Sequence, residues 1–341
     1  MRLVFITQQV DPDHPALGAT VPKIAALARR VDEVVVLADG AVPDSLPANA
    51  RVRTFGAPTK AGRGARFQAA LTAELPGLRG GAVVAHMCPI YAVLAAPLVR
   101  PLRIPLVLWY THWHAGPLLR AAARVSTAVA SVDRRSFPLP SRKVRPIGHG
   151  IDVREFACTD HRDDGALRLL ALGRYSPSKG LSVIIHAVAS TDARLTVYGP
   201  TLTPLEREHR ETLGELVDAL GAGDRIRLEG PVPRARVPEL FADADLLVNN
   251  MRAGAPDKVV YEAAASCLPV VASNPVFDEL LESELRFARD DPGDLAARLR
   301  EFKARDAAAR AELGRRLRER VAAHHSAESW AEGILKAAGV L

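Results

Sequence analysis

Residues 172–180 read Leu-Gly-Arg-Tyr-Ser-Pro-Ser-Lys-Gly, and this stretch decides the fold. It follows an apolar run typical of a buried strand and precedes apolar residues at helical spacing. Arg174 and Lys179 share this loop and can converge on a diphosphate, the arginine as a planar fork and the lysine as a point charge. A helix that begins near Gly180 adds its positive N-terminal end. Taken alone, two solvated loop charges would be the simpler interpretation.

The same alternation of strand and helix patterns extends toward the N-terminus. Apolar runs that stay apolar throughout and are separated by helices indicate parallel strands covered on both faces. The predicted strands are 2–7, 33–37, 82–86, 105–110 and 125–132, and the predicted helices are 20–30, 63–75 and 90–99.

After a polar stretch at 161–165, a predicted linker, the alternation begins again. The predicted strands are 167–172, 194–198, 226–228, 246–248 and 269–272, the predicted helices are 180–189, 204–220, 237–242 and 259–266, and the pattern is helical beyond 293. We therefore predict an α/β protein of two Rossmann-like parallel-sheet domains that face each other across a cleft. The domains are 1–155, joined by a C-terminal helix at 324–341, and 156–323.

Composition sets the class of protein. The 341 residues suit two domains, and 25% charged with 48% hydrophobic residues is typical of a globular chain. No apolar run reaches the roughly 18 residues that cross a bilayer, and the N-terminus indicates a first strand rather than a signal peptide. The net charge of +6 is not accompanied by interleaved aromatic residues, so nucleic-acid binding is not predicted.

Cysteine usage predicts the compartment. Cys88, Cys158 and Cys267 lie far apart, with neither a pairing rhythm nor the spacing of metal ligands. We expect unpaired thiols and a reducing, cytoplasmic location.

Four motifs in order resemble those of the family 4 glycosyltransferases, also called glycosyl transferases group 1. Gly-Arg followed by Pro-x-Lys-Gly at 173–180 resembles the family's donor-phosphate motif. Residues 147–156 resemble its N-G-I-D-x-x-x-F motif, with His149 in place of the asparagine. Residues 228–245 are similar to F-x-G-x-V…L-Y-x-x-A-D, and 261–273 to E-A-M-A-C-G-x-P-V-V-A-S. The resemblance implies the GT-B architecture of two Rossmann-like domains.

The resemblance also implies roles for particular residues. Arg174 and Lys179 would bind the donor diphosphate, assisted by Gly18 and Ala19 in the loop after the first strand. Glu262 would accept hydrogen bonds from the ribose hydroxyls. The alternative interpretation is that Glu262 is an ordinary exposed glutamate on a helix.

The chain departs from the family's pair of glutamates, because Gly254 stands where the first one is usual. It instead resembles a divergent branch with a lysine, here Lys258, four residues before the ribose glutamate. The amides of Lys258 and Val259 would then hold a phosphate oxygen at a helix N-terminus. Candidate sugar contacts are Gly254, Ala255 and Asp257, although we favour a helix N-cap role for Asp257.

Histidines near predicted strand ends are candidates for catalysis. Many retaining relatives have a histidine beyond the strand that ends here at Tyr110, which makes His112 the catalytic candidate and His114 the second. A packing histidine is the alternative, and a zinc site would need further ligands. Inverting relatives place a base in the first loop, where Asp13 and His14 lie. We favour a surface loop there.

The resemblance implies a retaining glycosyltransferase that uses a nucleoside diphosphate sugar as donor, with no metal and no cofactor. The acceptor would be a small molecule, a glycan or a lipid-linked hydroxyl. Peripheral membrane contact is the weaker option, because only Arg63 and Arg66 make the 63–75 helix basic. Alternatives of the same fold are a nucleotide-sugar epimerase, a phosphorylase and a non-catalytic nucleotide-sugar binder.

Overall fold

The computed structural model describes residues 1–12, 14, 17–42, 45–158 and 165–341. The chain divides into two units, Met1–Asp152 with His324–Leu341, and Val153–Ala323. Asp13 and most of the predicted linker, 161–164, lie outside the described residues.

The first unit is built on a sheet whose described strands are all parallel, in the order β3-β2-β1-β4-β5-β6-β7. Buried runs of valine, leucine and alanine form its central strands, as expected for a sheet covered on both faces. The strands are β1 (Arg2–Val10), β2 (Glu33–Ala41), β3 (Ala50–Thr54), β4 (Ala82–His86), β5 (Leu106–Trp109), β6 (Ala128–Ser131) and β7 (Val144–Pro146).

Helices cover both faces of this sheet. They are α1 (Thr20–Ala28), α2 (Lys60–Glu74), α3 (Pro89–Val99), α4 (Pro117–Val125) and the C-terminal α11 (Ala327–Ala338). On one face Phe55, Phe67 and Tyr91 pack with ring centroids 4.8–5.4 Å apart. On the other, Trp330 of α11 meets Trp109 edge-to-face at 5.6 Å, which fixes the C-terminal helix to the first unit.

The glycine-rich segment before residue 152 makes this return of the chain possible. Gly148 has φ 77°, and a Cβ there would lie 1.8 Å from the carbonyl oxygen of His324, so only glycine fits. Ile151 N donates to His325 O at 2.7 Å. His149, which replaces the family's asparagine, is buried.

The second unit has a five-stranded sheet, within the residues described, in the parallel order β10-β9-β8-β11-β12. Its strands are β8 (Arg168–Leu172), β9 (Arg194–Tyr198), β10 (Ile226–Glu229), β11 (Leu246–Asn249) and β12 (Val270–Ala272). Its helices are α5 (Leu181–Ala189), α6 (Pro204–Ala219), α7 (Val237–Asp243), α8 (Lys258–Ala265), α9 (Pro292–Lys303) and α10 (Ala307–His324).

The predicted α/β class with two parallel sheets is confirmed. The sequence analysis did not predict three of the elements, β3, β7 and α4. Both strands lie at sheet edges, where one side needs no partner and an apolar run is not required. β3 has mostly exposed side chains.

The cysteines contradict the sequence analysis. Cys158 and Cys267, 109 positions apart, form a disulfide with Cα atoms 4.9 Å apart. Cys267 follows the C-cap of α8, Ser266, and has φ 60°, the left-handed conformation for which a glycine would be suited. Cys88 keeps a free thiol, and burial raises its pKa to about 12. The disulfide removes the observation from which a reducing compartment was predicted.

Candidate functional site

The loop between β8 and α5 carries the two cations singled out in the sequence. The lysine side chain packs against the backbone of this loop at Gly173, which has φ 135°. A Cβ at Gly173 would lie 2.4 Å from Lys179 Nζ. Gly180 adopts φ 56° as the N-cap of α5 and provides no side-chain cap. The first amides of α5 are therefore left for another acceptor.

Lys179 is a largely buried, paired cation. Its side chain is 14% exposed and forms an ion pair with Asp257, and its Nζ also donates to Leu172 O at 3.2 Å. Asn249, the last residue of β11, donates to the same Asp257 oxygen at 2.7 Å. The interpretation of Lys179 as a solvated loop charge is wrong.

Asp257 does not cap α8 with its side chain. It occupies the N-cap position, but its carboxylate accepts no capping hydrogen bond and instead meets Lys179 and Asn249. The N-cap role favoured from the sequence is therefore wrong. The amides of Lys258 and Val259 at the start of α8 are left without a side-chain cap.

Arg174 is more open to solvent than Lys179. Its side chain is 54% exposed, and Nη1 lies 3.1 Å from Oε1 of the buried Glu206 on α6. Because the guanidinium is half-exposed, water screens its contact with Glu206, and Arg174 can turn toward an incoming anion.

Glu262 is buried, so it is not the exposed helical glutamate that the alternative interpretation predicted. Its side chain is 5% exposed, and Oε1 lies 2.8 Å from Arg234 Nη1 and 3.2 Å from Lys258 Nζ. The carboxylate thus sits among cations one turn inside α8.

Asn274 holds the candidate sugar-contact segment in place. Its side-chain amide donates to Arg252 O and Ala255 O, both at 2.9 Å, and its Oδ1 accepts from Gly254 N at 3.2 Å. Gly254 has φ 79° and Ala255 is buried. These three hydrogen bonds fix the backbone of this segment.

In the first unit, Gly18 and Ala19 lead into α1. A Cβ at Gly18 would lie 2.5 Å from Pro12 O, so the loop needs glycine there. Ala19 is the N-cap of α1 and offers no side-chain cap. His14 Nδ1 accepts from Leu17 N at 3.0 Å, which gives that histidine a local role in shaping the loop.

His112 lies beyond β5 in an exposed aromatic cluster. Its Nδ1 accepts from His114 N at 3.0 Å, and its ring stacks on Trp113 at 5.1 Å. Tyr110 donates to His114 O at 3.0 Å. Because Nδ1 is an acceptor, the neutral ring carries its proton on Nε2. The exposure of His112 argues against a packing role.

The helices differ in whether a side chain caps their N-terminus. Side chains of Thr59, Thr203, Asp291 and Ser326 cap α2, α6, α9 and α11. Among the described residues, no side chain caps α1, α3, α4, α5, α7 or α8. This group includes α1, α5 and α8, on which the sequence analysis placed donor-phosphate contacts, and an uncapped N-terminus is able to accept an anion.

Sequence reasoning missed three residues of the site: Glu206, Arg234 and Asn249. Each belongs to a different element from its partner, so no local motif links them. The polar pair Asn249 and Asn250 at the end of an apolar strand was the available signal, since open α/β sheets bind ligands at such strand ends.

The fold is that of GT-B proteins, as comparisons with solved structures show. HepE of Anabaena in complex with UDP shares 18% identity, with all of both chains covered and a TM-score of 0.79. Sucrose-phosphate synthase from Thermosynechococcus elongatus shares 17% over 98% of each chain, with a TM-score of 0.77. A glycosyltransferase from Rickettsia africae shares 11% over 99% of this chain and 97% of that one, with a TM-score of 0.77. Similarity at this level of identity establishes the fold.

The family model described as Glycosyl transferases group 1 matches residues 159–320. This segment, slightly less than half of the chain, lies within the second unit and is similar to that family of glycosyltransferases. No curated protein matches significantly. Within the described ranges, no helix is long and apolar enough to cross a membrane.

Proposed function

We propose that the protein is a retaining, metal-independent glycosyltransferase that moves a sugar from a nucleoside diphosphate sugar to a hydroxyl acceptor. The proposal rests on the contact between the β8–α5 loop and the start of α8. Lys179 of the loop forms an ion pair with Asp257 at the start of α8, and Asn249 donates a hydrogen bond to the same carboxylate. This contact brings a cation beside an uncapped helix N-terminus, and Glu262 lies one turn further along that helix. The cation and the helix amides suit a diphosphate, and the carboxylate suits the hydroxyls of a ribose.

The chemistry follows from where charge develops. The bond between the anomeric carbon and the phosphate oxygen breaks, and its electron pair goes to the diphosphate. Lys179, Arg174 and the α5 and α8 amides stabilise that negative charge, so the residues present supply what a divalent cation supplies elsewhere. The acceptor oxygen bonds to the anomeric carbon on the same face, and its proton passes to the leaving phosphate. His112 is the proposed catalytic residue, donating from Nε2 to the transferred sugar.

Uridine is the first base to test, because the HepE structures contain UDP or UDP-glucose. In a thermal-shift panel of nucleoside diphosphates and their sugars, we expect at least one member to raise the melting temperature at concentrations well above its Kd. Inorganic diphosphate should give a smaller shift because it lacks the ribose. A panel without any stabilising member would contradict the proposal.

Product stereochemistry tests the retaining mechanism. With an α-linked donor such as UDP-glucose, the product should be α-linked, read from the coupling constant of its anomeric proton by NMR. A β-linked product would indicate inversion and a base in the loop that carries His14. Turnover without any acceptor would indicate an epimerase, and donor binding without turnover on any acceptor would indicate a binding protein.

A further inference from the structure

Arg234 joins two carboxylates beside the start of α8. It follows β10 in a short 3-10 turn, Arg234–Arg236. Nη1 donates to Glu262 Oε1 at 2.8 Å and Nη2 donates to Glu155 Oε2 at 2.7 Å. Burial alone lowers the pKa of Arg234, but Glu262 and Glu155 outweigh it and raise the pKa above the usual arginine value. The guanidinium therefore stays charged and held at both ends.

The two oxygens of Glu262 have different surroundings. Nη1 of Arg234 and Nζ of Lys258 lie 2.8 and 3.2 Å from Oε1 of Glu262. In the part of the chain that the structure describes, no hydrogen bond is made to Oε2. One oxygen is thus used to fix the carboxylate, and the other keeps its lone pairs for a ligand.

We propose that Arg234 is a positioning residue that makes the donor site selective for ribose over 2′-deoxyribose, by holding Glu262 so that Oε2 faces the ribose hydroxyls. The inference rests on the proposed function, since it requires Glu262 to meet a nucleotide ribose. Arg234, itself anchored by Glu155, and Lys258 both hold Oε1 of Glu262, which restricts rotation of the carboxylate and leaves Oε2 for a ribose hydroxyl. A carboxylate without this contact can rotate and exchange its partners for water.

A purely structural ion pair would behave differently. Its loss would lower the melting temperature and weaken all nucleotides equally, whereas loss of a positioning residue changes the ratio of two affinities. Calorimetry with UDP and 2′-deoxy-UDP measures that ratio on the intact protein. For the unaltered protein we expect UDP to bind about tenfold more tightly, the scale of one hydrogen bond to a charged group.

In Arg234→Gln the ratio should fall to roughly twofold or less, while the affinity for inorganic diphosphate changes by less than about twofold, because the cations on the β8–α5 loop are untouched. The matched control is Arg236→Gln, in the same turn. Arg236 is 65% exposed and pairs only with Glu239 among the described residues, so its replacement should leave both measurements unchanged.

A double-mutant cycle tests whether Arg234 acts through Glu262. Glu262→Gln should also abolish the ribose preference, and adding Arg234→Gln to it should change nothing further. Arg234→Lys retains the cation without a fork that spans both carboxylates, so its ratio should be intermediate, and it serves if Arg234→Gln does not fold.

The outcomes separate this inference from the proposed function. If the unaltered protein binds UDP and Arg234→Gln keeps the same ribose preference, Arg234 is a structural residue and the inference fails while the proposed function stands. If neither UDP nor any other nucleoside diphosphate binds, the proposed function fails as well.

Discussion

Replacing Lys179 with alanine should weaken nucleoside diphosphate binding by at least about 1.5–3 kcal/mol, a rise in Kd of roughly ten- to a hundredfold. Two effects add. The cation that meets the diphosphate is lost, and Asp257 is left with Asn249 but without its ion-pair partner. An unpaired, largely buried carboxylate then repels the incoming anion. Isothermal titration calorimetry with UDP measures the change.

The neighbouring residues provide controls for this prediction. Adding Asp257→Asn to Lys179→Ala should recover part of the affinity, because it removes the uncompensated negative charge. Arg174→Ala should weaken binding less than Lys179→Ala, since Arg174 is half-exposed and competes with water. Arg207→Ala, an exposed arginine on α6, should have no effect. Unchanged affinity in both Lys179→Ala and Arg174→Ala would remove the phosphate assignment.

Replacing His112 with alanine should reduce kcat by about a hundredfold or more, the usual contribution of a positioned proton donor or acceptor. Donor affinity should change by less than about threefold, because the proposed nucleotide contacts of Lys179 and Glu262 belong to the second unit. Initial rates with the donor identified in the panel, together with calorimetry on the same variant, separate the two effects.

His114→Ala is the matched control for His112→Ala. The amide of His114 donates to His112 and its carbonyl accepts from Tyr110, and both main-chain groups remain in the alanine variant. We therefore expect near-normal turnover. Full turnover in His112→Ala would instead make His112 dispensable and direct the search to the side chain of His114 or to His14.

The sequence determined the α/β class, all five strands of the second sheet and the position of Arg174 and Lys179 in the loop between β8 and α5. These features are local. A central strand is apolar over its whole length because both faces are covered, and a phosphate loop joins one strand to the next helix, so its glycines and cations are close in sequence. The edge strands β3 and β7 were not predicted, because a strand at the edge of a sheet does not require an apolar run.

Only the tertiary structure decided which side chains meet. Lys179 and Asp257 are 78 positions apart, and they pair because β8 and β11 are neighbours in the sheet, so the loops that follow these strands lie side by side. Arg234 with Glu262 and Cys158 with Cys267 are likewise partners from separate elements. Local hydrophobic periodicity indicates which face of an element is buried but carries no information on strand order, which brings Lys179 to Asp257, or on how separate elements pack.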